Sequence, residues 1–252
     1  MGRWLGVTLA VLSVATVAVA QEAAESARAL LAAWHRDPAR IERARVLLER
    51  QAAVRPTADV LVELSRAWFL TGEALAHSAA DKTAAYEQGR EVAQRAVAIA
   101  PDRDTAHLWL AINTGRFAES RGRTTGLTML PTIRASSETV LRLNPDNVDG
   151  LILAGGILAN VPRLMGGDRG KAEAQFKRAL EIDPHKTAAR LELAELYVDT
   201  RRWANARQQV RRLLDEPSPT DVPRWTVTEV PRARVLLAEI IAHEPRAPEQ
   251  SP

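Results

Sequence analysis

The stretch GKAEAQFKRALEIDP, Gly170 to Pro184, decides the fold. Ala172, Phe176 and Ala179 stand at steps of four and three, so on a helix all three share one face. The two alanines let a neighbouring helix approach closely, and the phenylalanine fills the space between them. Pro184 then ends the helix, because its ring and missing N–H oppose continuation. Upstream, Gly167-Asp168 offers a turn residue and a carboxylate able to cap the first free N–H groups. A short helix with so narrow an apolar stripe must bury it on another helix.

Working outward, the same grammar recurs. Arg190, Leu193, Ala194 and Tyr197 follow at the spacing of a first helix, and Ala206, Val210 and Leu213 repeat the second-helix stripe before Pro217. Earlier copies are Gly89, Ala93 and Ala96 before Pro101, and Ala44 and Leu48 before Pro56. A weaker unit, with Ile133 and Val140, closes at Asn144-Pro145. These spacings resemble the tetratricopeptide repeat, whose first helix carries W-x2-L-G-x2-Y and whose second carries the small, large, small, proline series. The five proline stops are separated by 45, 44, 39 and 33 residues, against a usual period of about 34. The early units therefore carry insertions, placed in Gly72 to Lys82, Arg121 to Pro131 and Val161 to Asp168. Asp37-Pro38 opens a helix, and Trp225 to His243 reads as a closing helix that packs on the last repeat through Pro231, Val235, Leu236 and Ile240. The expected fold is all-α, a tetratricopeptide-type right-handed superhelix of about ten or eleven antiparallel helices with insertions.

Composition agrees. Of 252 residues, 46% are hydrophobic, 26% charged and only 4% aromatic, a helix-forming mixture. There is no cysteine, which removes disulfides, thiol catalysis and thiolate metal sites. The 34 basic and 31 acidic residues are interspersed along the chain, so no basic stripe marks a nucleic acid or an acidic membrane surface as partner. Residues 1–20 read as a cleaved export signal: Arg3 is positive, Trp4 to Val17 are uncharged, and Ala18-Val19-Ala20 offers a small-residue cleavage site. A retained membrane anchor is the alternative, since Trp4 to Ala20 approaches the length of a span. The expected organisation is a signal over 1–20, a repeat domain over 21–243 and a disordered tail over 244–252, with a periplasmic or secreted location.

Several further features resemble a narrower family. Tyr86-Glu87-Gln88-Gly89, Ala106-His107-Leu108-Trp109, Leu143-Asn144-Pro145 with Asp149-Gly150, Val161-Pro162 before Gly166-Gly167-Asp168, and Leu193-Ala194-Glu195-Leu196-Tyr197 occur in that order. Together they resemble the tetratricopeptide T component associated with TRAP transporters, over about Thr57 to Ile241. In repeat style they are also similar to the regulator of microtubule dynamics group. The T-component resemblance implies a periplasmic helical protein, often lipid-anchored and sometimes oligomeric. Such a protein docks against an extracytoplasmic solute-binding protein and helps present an apolar small ligand. The lipid-bearing cysteine of that family is absent here, so a soluble form is expected.

Catalytic patterns are lacking. In the loop Gly166 to Ala172, three residues separate Gly166 from Gly170 where a phosphate-binding loop needs four, and Ala172 follows Lys171 in place of Ser or Thr. The five histidines, His35, His77, His107, His185 and His243, are scattered, and no G-x-S-x-G elbow occurs. A non-enzymatic scaffold without cofactor or metal is expected. In such arrays the first helix of each hairpin faces a partner, and in that register Asn113, Arg116, Asn160, Glu195 and Asp199 form the expected concave interface. Trp68 and Trp109 are either core residues or the lining of a groove for an apolar ligand. A scaffold for envelope or polysaccharide assembly is the alternative to a transport role, and an enzyme using the repeat surface is the rival of another class.

Overall fold

The structure is a computed structural model that describes residues 21–243. The expected signal over 1–20 and the expected tail over 244–252 lie outside the described residues. Every regular element among the described residues is helical. The helices are α1 (residues 21–31), α2 (Ala39–Val54), α3 (Ala58–Leu70), α4 (Ala79–Ile99), α5 (Asp104–Arg121), α6 (Arg123–Leu143), α7 (Val148–Asn160), α8 (Arg169–Ile182), α9 (Thr187–Asp199), α10 (Trp203–Leu214), the single turn α11 (Val222–Arg224) and α12 (Val230–His243). Leaving out α11, the described residues form eleven α-helices, at the upper end of the number expected. The described residues divide into two compact units, one ending at Pro145 and the other beginning at Asp146.

In the N-terminal unit α2 packs on α3, α3 on α4, α4 on α5 and α5 on α6, and α3 also touches α5. The three proline stops act as expected: α2 ends at Val54 before Pro56, α4 at Ile99 before Pro101, and α6 at Leu143 before Pro145. Side chains cap two starts, Thr57 Oγ1 accepting from the Val60 N–H and Ser78 Oγ from the Asp81 N–H at 3.1 Å. The stripe residues Ala44, Leu48, Ala93, Ala96 and Val140 are all fully buried. The Gly72 to Lys82 insertion forms a π turn, Thr71–Leu75, and the first residues of α4. The Arg121 to Pro131 insertion becomes helix, with α5 and α6 joined through Gly122 and Pro131 accommodated inside α6.

In the C-terminal unit α7 to α10 pack in sequence, and α12 closes on α10 and α9. Ala172, Phe176 and Ala179 are completely buried, as are Ala194, Ala206, Val210 and Leu213. Asp168 caps α8, its Oδ1 accepting from the N–H groups of Gly170 and Lys171 at 3.0 Å. Glu173 on α8 ties the next hairpin down: it accepts from the Tyr197 hydroxyl at 3.0 Å and pairs with Arg202 and with Lys177 Nζ at 2.7 Å. The Arg202 guanidinium and these other donors hold its carboxyl well below the ordinary range, at about 2. The closing helix is rotated from its expected setting. Ala233, Leu236 and Ile240 face the core, whereas Pro231 and Val235 are exposed, Val235 to 71%. Ala233, Leu236 and Ile240 follow the three-and-four step of a buried stripe, and the step of four from Pro231 to Val235 runs along a different face.

Candidate functional site

Three of the five expected interface residues meet in one groove of the C-terminal unit. Asn160 from α7 and Glu195 and Asp199 from α9 line a cavity of about 350 Å³. Its other wall is α12, through Arg232, Val235, Leu236 and Glu239, with Ala159, Leu196 and Val198 as apolar lining. The placement follows from helix periodicity. Glu192, Glu195 and Asp199 lie at steps of three and four on α9, opposite to Leu193, Ala194 and Tyr197, which enter the core. Asn160 Nδ2 donates back to the Gly156 carbonyl at 2.9 Å, one turn earlier on its own helix.

One ion pair spans the groove. Arg232 grips Glu195 with both forks, Nε to Oε1 at 2.6 Å and Nη2 to Oε2 at 2.8 Å. Burial nevertheless pushes the Glu195 carboxyl up to about 7; Arg232 opposes that rise, and the carboxylates of Glu192 and Asp199 add to it. With Glu195 ionised the lining carries four carboxylates against one guanidinium, beside an exposed valine. A surface of this kind attracts cationic side chains and leaves room for apolar ones. Arg232, Val235 and Glu239 are not among the residues expected from sequence, because the expected setting of α12 turns a different face to the repeat.

The remaining expected residues belong to the N-terminal unit. Asn113, expected on the concave face, is instead completely buried. Its Nδ2 donates to Ser65 Oγ at 3.0 Å and to the Trp109 carbonyl at 3.2 Å, while Ser65 Oγ donates to the Gly89 carbonyl at 2.8 Å. Gly89 makes this possible, because a Cβ there would fall 2.4 Å from Asn113 Oδ1. The signal was present in Tyr86-Glu87-Gln88-Gly89, where a glycine inside a helix marks a close approach. Arg116 is half-buried, with Nη1 donating to Glu119 at 3.0 Å and Nε lying 3.5 Å from Glu73. Glu73 also accepts from the Tyr86 hydroxyl at 2.6 Å. Trp68 and Trp109 are partly buried and pack against the N-terminal core. The Arg45 guanidinium covers the Trp68 ring at 4.5 Å, and the Phe69 ring centre lies 5.5 Å from that of Trp109.

Among the described residues, no cluster of three His, Asp or Glu could hold a metal ion, and no helix is long and apolar enough to cross a membrane. The structure is similar to solved tetratricopeptide proteins. A thermophilic TPR protein of Thermus thermophilus is 22% identical, covering 86% of this chain and 99% of its own, with a TM-score of 0.63. PilF of Pseudomonas aeruginosa is 16% identical, covering 88% of this chain and 90% of its own, with a TM-score of 0.51. The Cut9–Hcn1 hetero-tetramer of APC/C matches at 12% identity over 90% of this chain and 39% of its own, with a TM-score of 0.59. These likenesses establish the tetratricopeptide fold. No curated protein sequence matches the chain. The tetratricopeptide repeat model matches residues 163–225. The model described as Regulator of microtubule dynamics protein 1-3 matches residues 27–156, just over half of the chain, which therefore belongs to that tetratricopeptide-type family.

Proposed function

We propose that the protein is a non-catalytic scaffold whose C-terminal groove, between α7, α9 and α12, holds a basic and partly apolar segment of a partner protein. The observation that carries this reading is the excess of carboxylates, Glu192, Glu195 and Asp199 on the first helix α9 and Glu239 on α12, around the exposed Val235 of α12. Tetratricopeptide hairpins present their first-helix face to partners, and the buried stripes on the opposite side leave it free to vary without loss of fold. The uncharged segment Trp4 to Val17 with Ala18-Val19-Ala20 supports an exported chain, periplasmic or secreted. The resemblance to the TRAP T component supports an extracytoplasmic solute-binding protein as that partner, with an apolar ligand passed between them.

A fluorescent peptide alternating Lys and Leu tests the groove by anisotropy. Glu192→Gln, Asp199→Asn and Glu239→Gln combined are expected to weaken it about tenfold, since three attracting charges are lost. Unchanged affinity would remove the groove as the docking surface. The pH dependence has a definite sign. The raised Glu195 carboxyl is ionised only above about 7, so peptide affinity should rise between about pH 6 and pH 8. Stability should move the other way. A carboxyl raised on folding contributes its stability below the ordinary Glu value and loses it as pH rises through about 7. Glu195→Gln is expected to flatten both trends.

A further inference from the structure

The second helix of the last hairpin carries a local run of positive charge, to which the fold adds Arg190 from the first helix. Arg207 and Arg211 stand one turn apart on α10 with Arg212 beside them, and α9 contributes Arg190. These four arginines line a second groove of the C-terminal unit, of about 580 Å³, together with Gln208, Asp215 and Glu216. The expectation of no basic stripe fails at this hairpin, where residues 201–212 hold five arginines and no acidic residue.

The local charges do not cancel. Glu216 is already engaged, by His185 Nδ1 at 2.7 Å and by the Ser218 N–H at 3.1 Å. That leaves Asp215 as the one uncommitted carboxylate in the lining. The side chains of Arg211 and Arg212 are exposed and form no ion pair among the described residues. Arg190 sits deeper. Its Nη2 donates to the Pro184 carbonyl at 2.6 Å, yet its Nε is buried with no hydrogen-bond partner among the described residues. Burial and the neighbouring Arg212 both lower its hold on its proton, as expected where guanidinium groups converge without enough counter-charge. Like charges one helical turn apart destabilise a helix, and a concave wall of one sign concentrates counter-ions.

We propose that this groove is a binding site for a small ligand bearing a phosphoryl group. Guanidinium forks match the oxygens of such a group bidentately, and its double charge suits the surplus better than a single carboxylate. The cavity volume lies within the range of small-molecule sites. A soluble ligand fits better than a membrane surface, because a flat array of headgroups would meet Arg211 and Arg212 but not the half-buried Arg190.

Isothermal titration of the full chain with inorganic pyrophosphate tests the site. Saturable binding that weakens with added salt is expected. Arg211→Gln with Arg212→Gln should reduce affinity about tenfold or more while leaving the melting curve in place, both side chains being exposed. Arg190→Gln should reduce it as well. Absence of saturable binding to the parent chain would overturn the proposal, as would pyrophosphate affinity unchanged in the exposed double variant. So would pelleting with phosphatidylglycerol vesicles that pyrophosphate cannot compete away, which would mark a membrane-facing patch instead.

Discussion

Phe176→Ala is expected to lower the free energy of unfolding by about 3–5 kcal/mol, a large share of the ~5–15 kcal/mol typical of a domain. The ring is completely buried between Ala172 and Ala179 of its own helix and the backbone of α7. Its fit against α7 is close enough that a Cβ on Gly155 would lie 2.5 Å from Phe176 Cε1. Removing the ring leaves a cavity that neither alanine can fill, and α7 cannot collapse onto α8 without dragging its neighbours. Arg201→Ala is the matched control. Arg201 is exposed and already holds a positive φ of 57°, which alanine shares, so that change should cost less than about 0.5 kcal/mol. Urea denaturation followed by circular dichroism separates the two. Coincident transitions would mean that the stripe of Ala172, Phe176 and Ala179 does not form the hairpin contact.

Gly167→Ala should cost about 3 kcal/mol, although it adds a single methyl group. A Cβ at that position would fall 1.7 Å from the Val161 carbonyl oxygen and 2.8 Å from its carbon. The obstacle is backbone, so no rotamer change relieves it. The surrounding loop is closed by two hydrogen bonds, Gly167 N–H to the Pro162 carbonyl at 3.1 Å and Asp168 N–H to the Leu158 carbonyl at 2.9 Å. Opening the loop to admit the methyl group would also displace Asp168, which caps α8. Gly156→Ala gives the contrast: nothing lies within 4 Å of the place a Cβ would take at this position of α7, so the substitution should stabilise by about 0.5–1 kcal/mol through helix propensity. If both variants melted with the parent chain, the α7 to α8 connection would have to follow another path.

Much of the candidate site is legible in the sequence and part of it is not. Asn160, Glu195 and Asp199 meet in one groove, and helical spacing alone separates the two carboxylates from Leu193, Ala194 and Tyr197. Asn113 obeys the same spacing and is still buried, since the missing side chain of Gly89, a helix away, lets its amide reach Ser65. The α12 wall of the groove is hidden for a related reason. Val235 and Leu236 are equally apolar and adjacent, and only packing against α9 and α10 decides which of them is covered.

The amino-acid sequence by itself determined where α2, α4, α6, α8 and α10 stop, because Pro56, Pro101, Pro145, Pro184 and Pro217 act on backbone groups within a turn or so of themselves, although Pro131 is carried inside α6. It also determined which stripe each second helix buries, because Ala172, Phe176 and Ala179 select a neighbour by size. Only the tertiary structure decided which polar residues remain in water and which charges converge. Arg190 with Arg211 and Arg212, and Glu195 with Arg232, stand on different helices. Their approach depends on how those helices pack, a quantity that no local spacing contains.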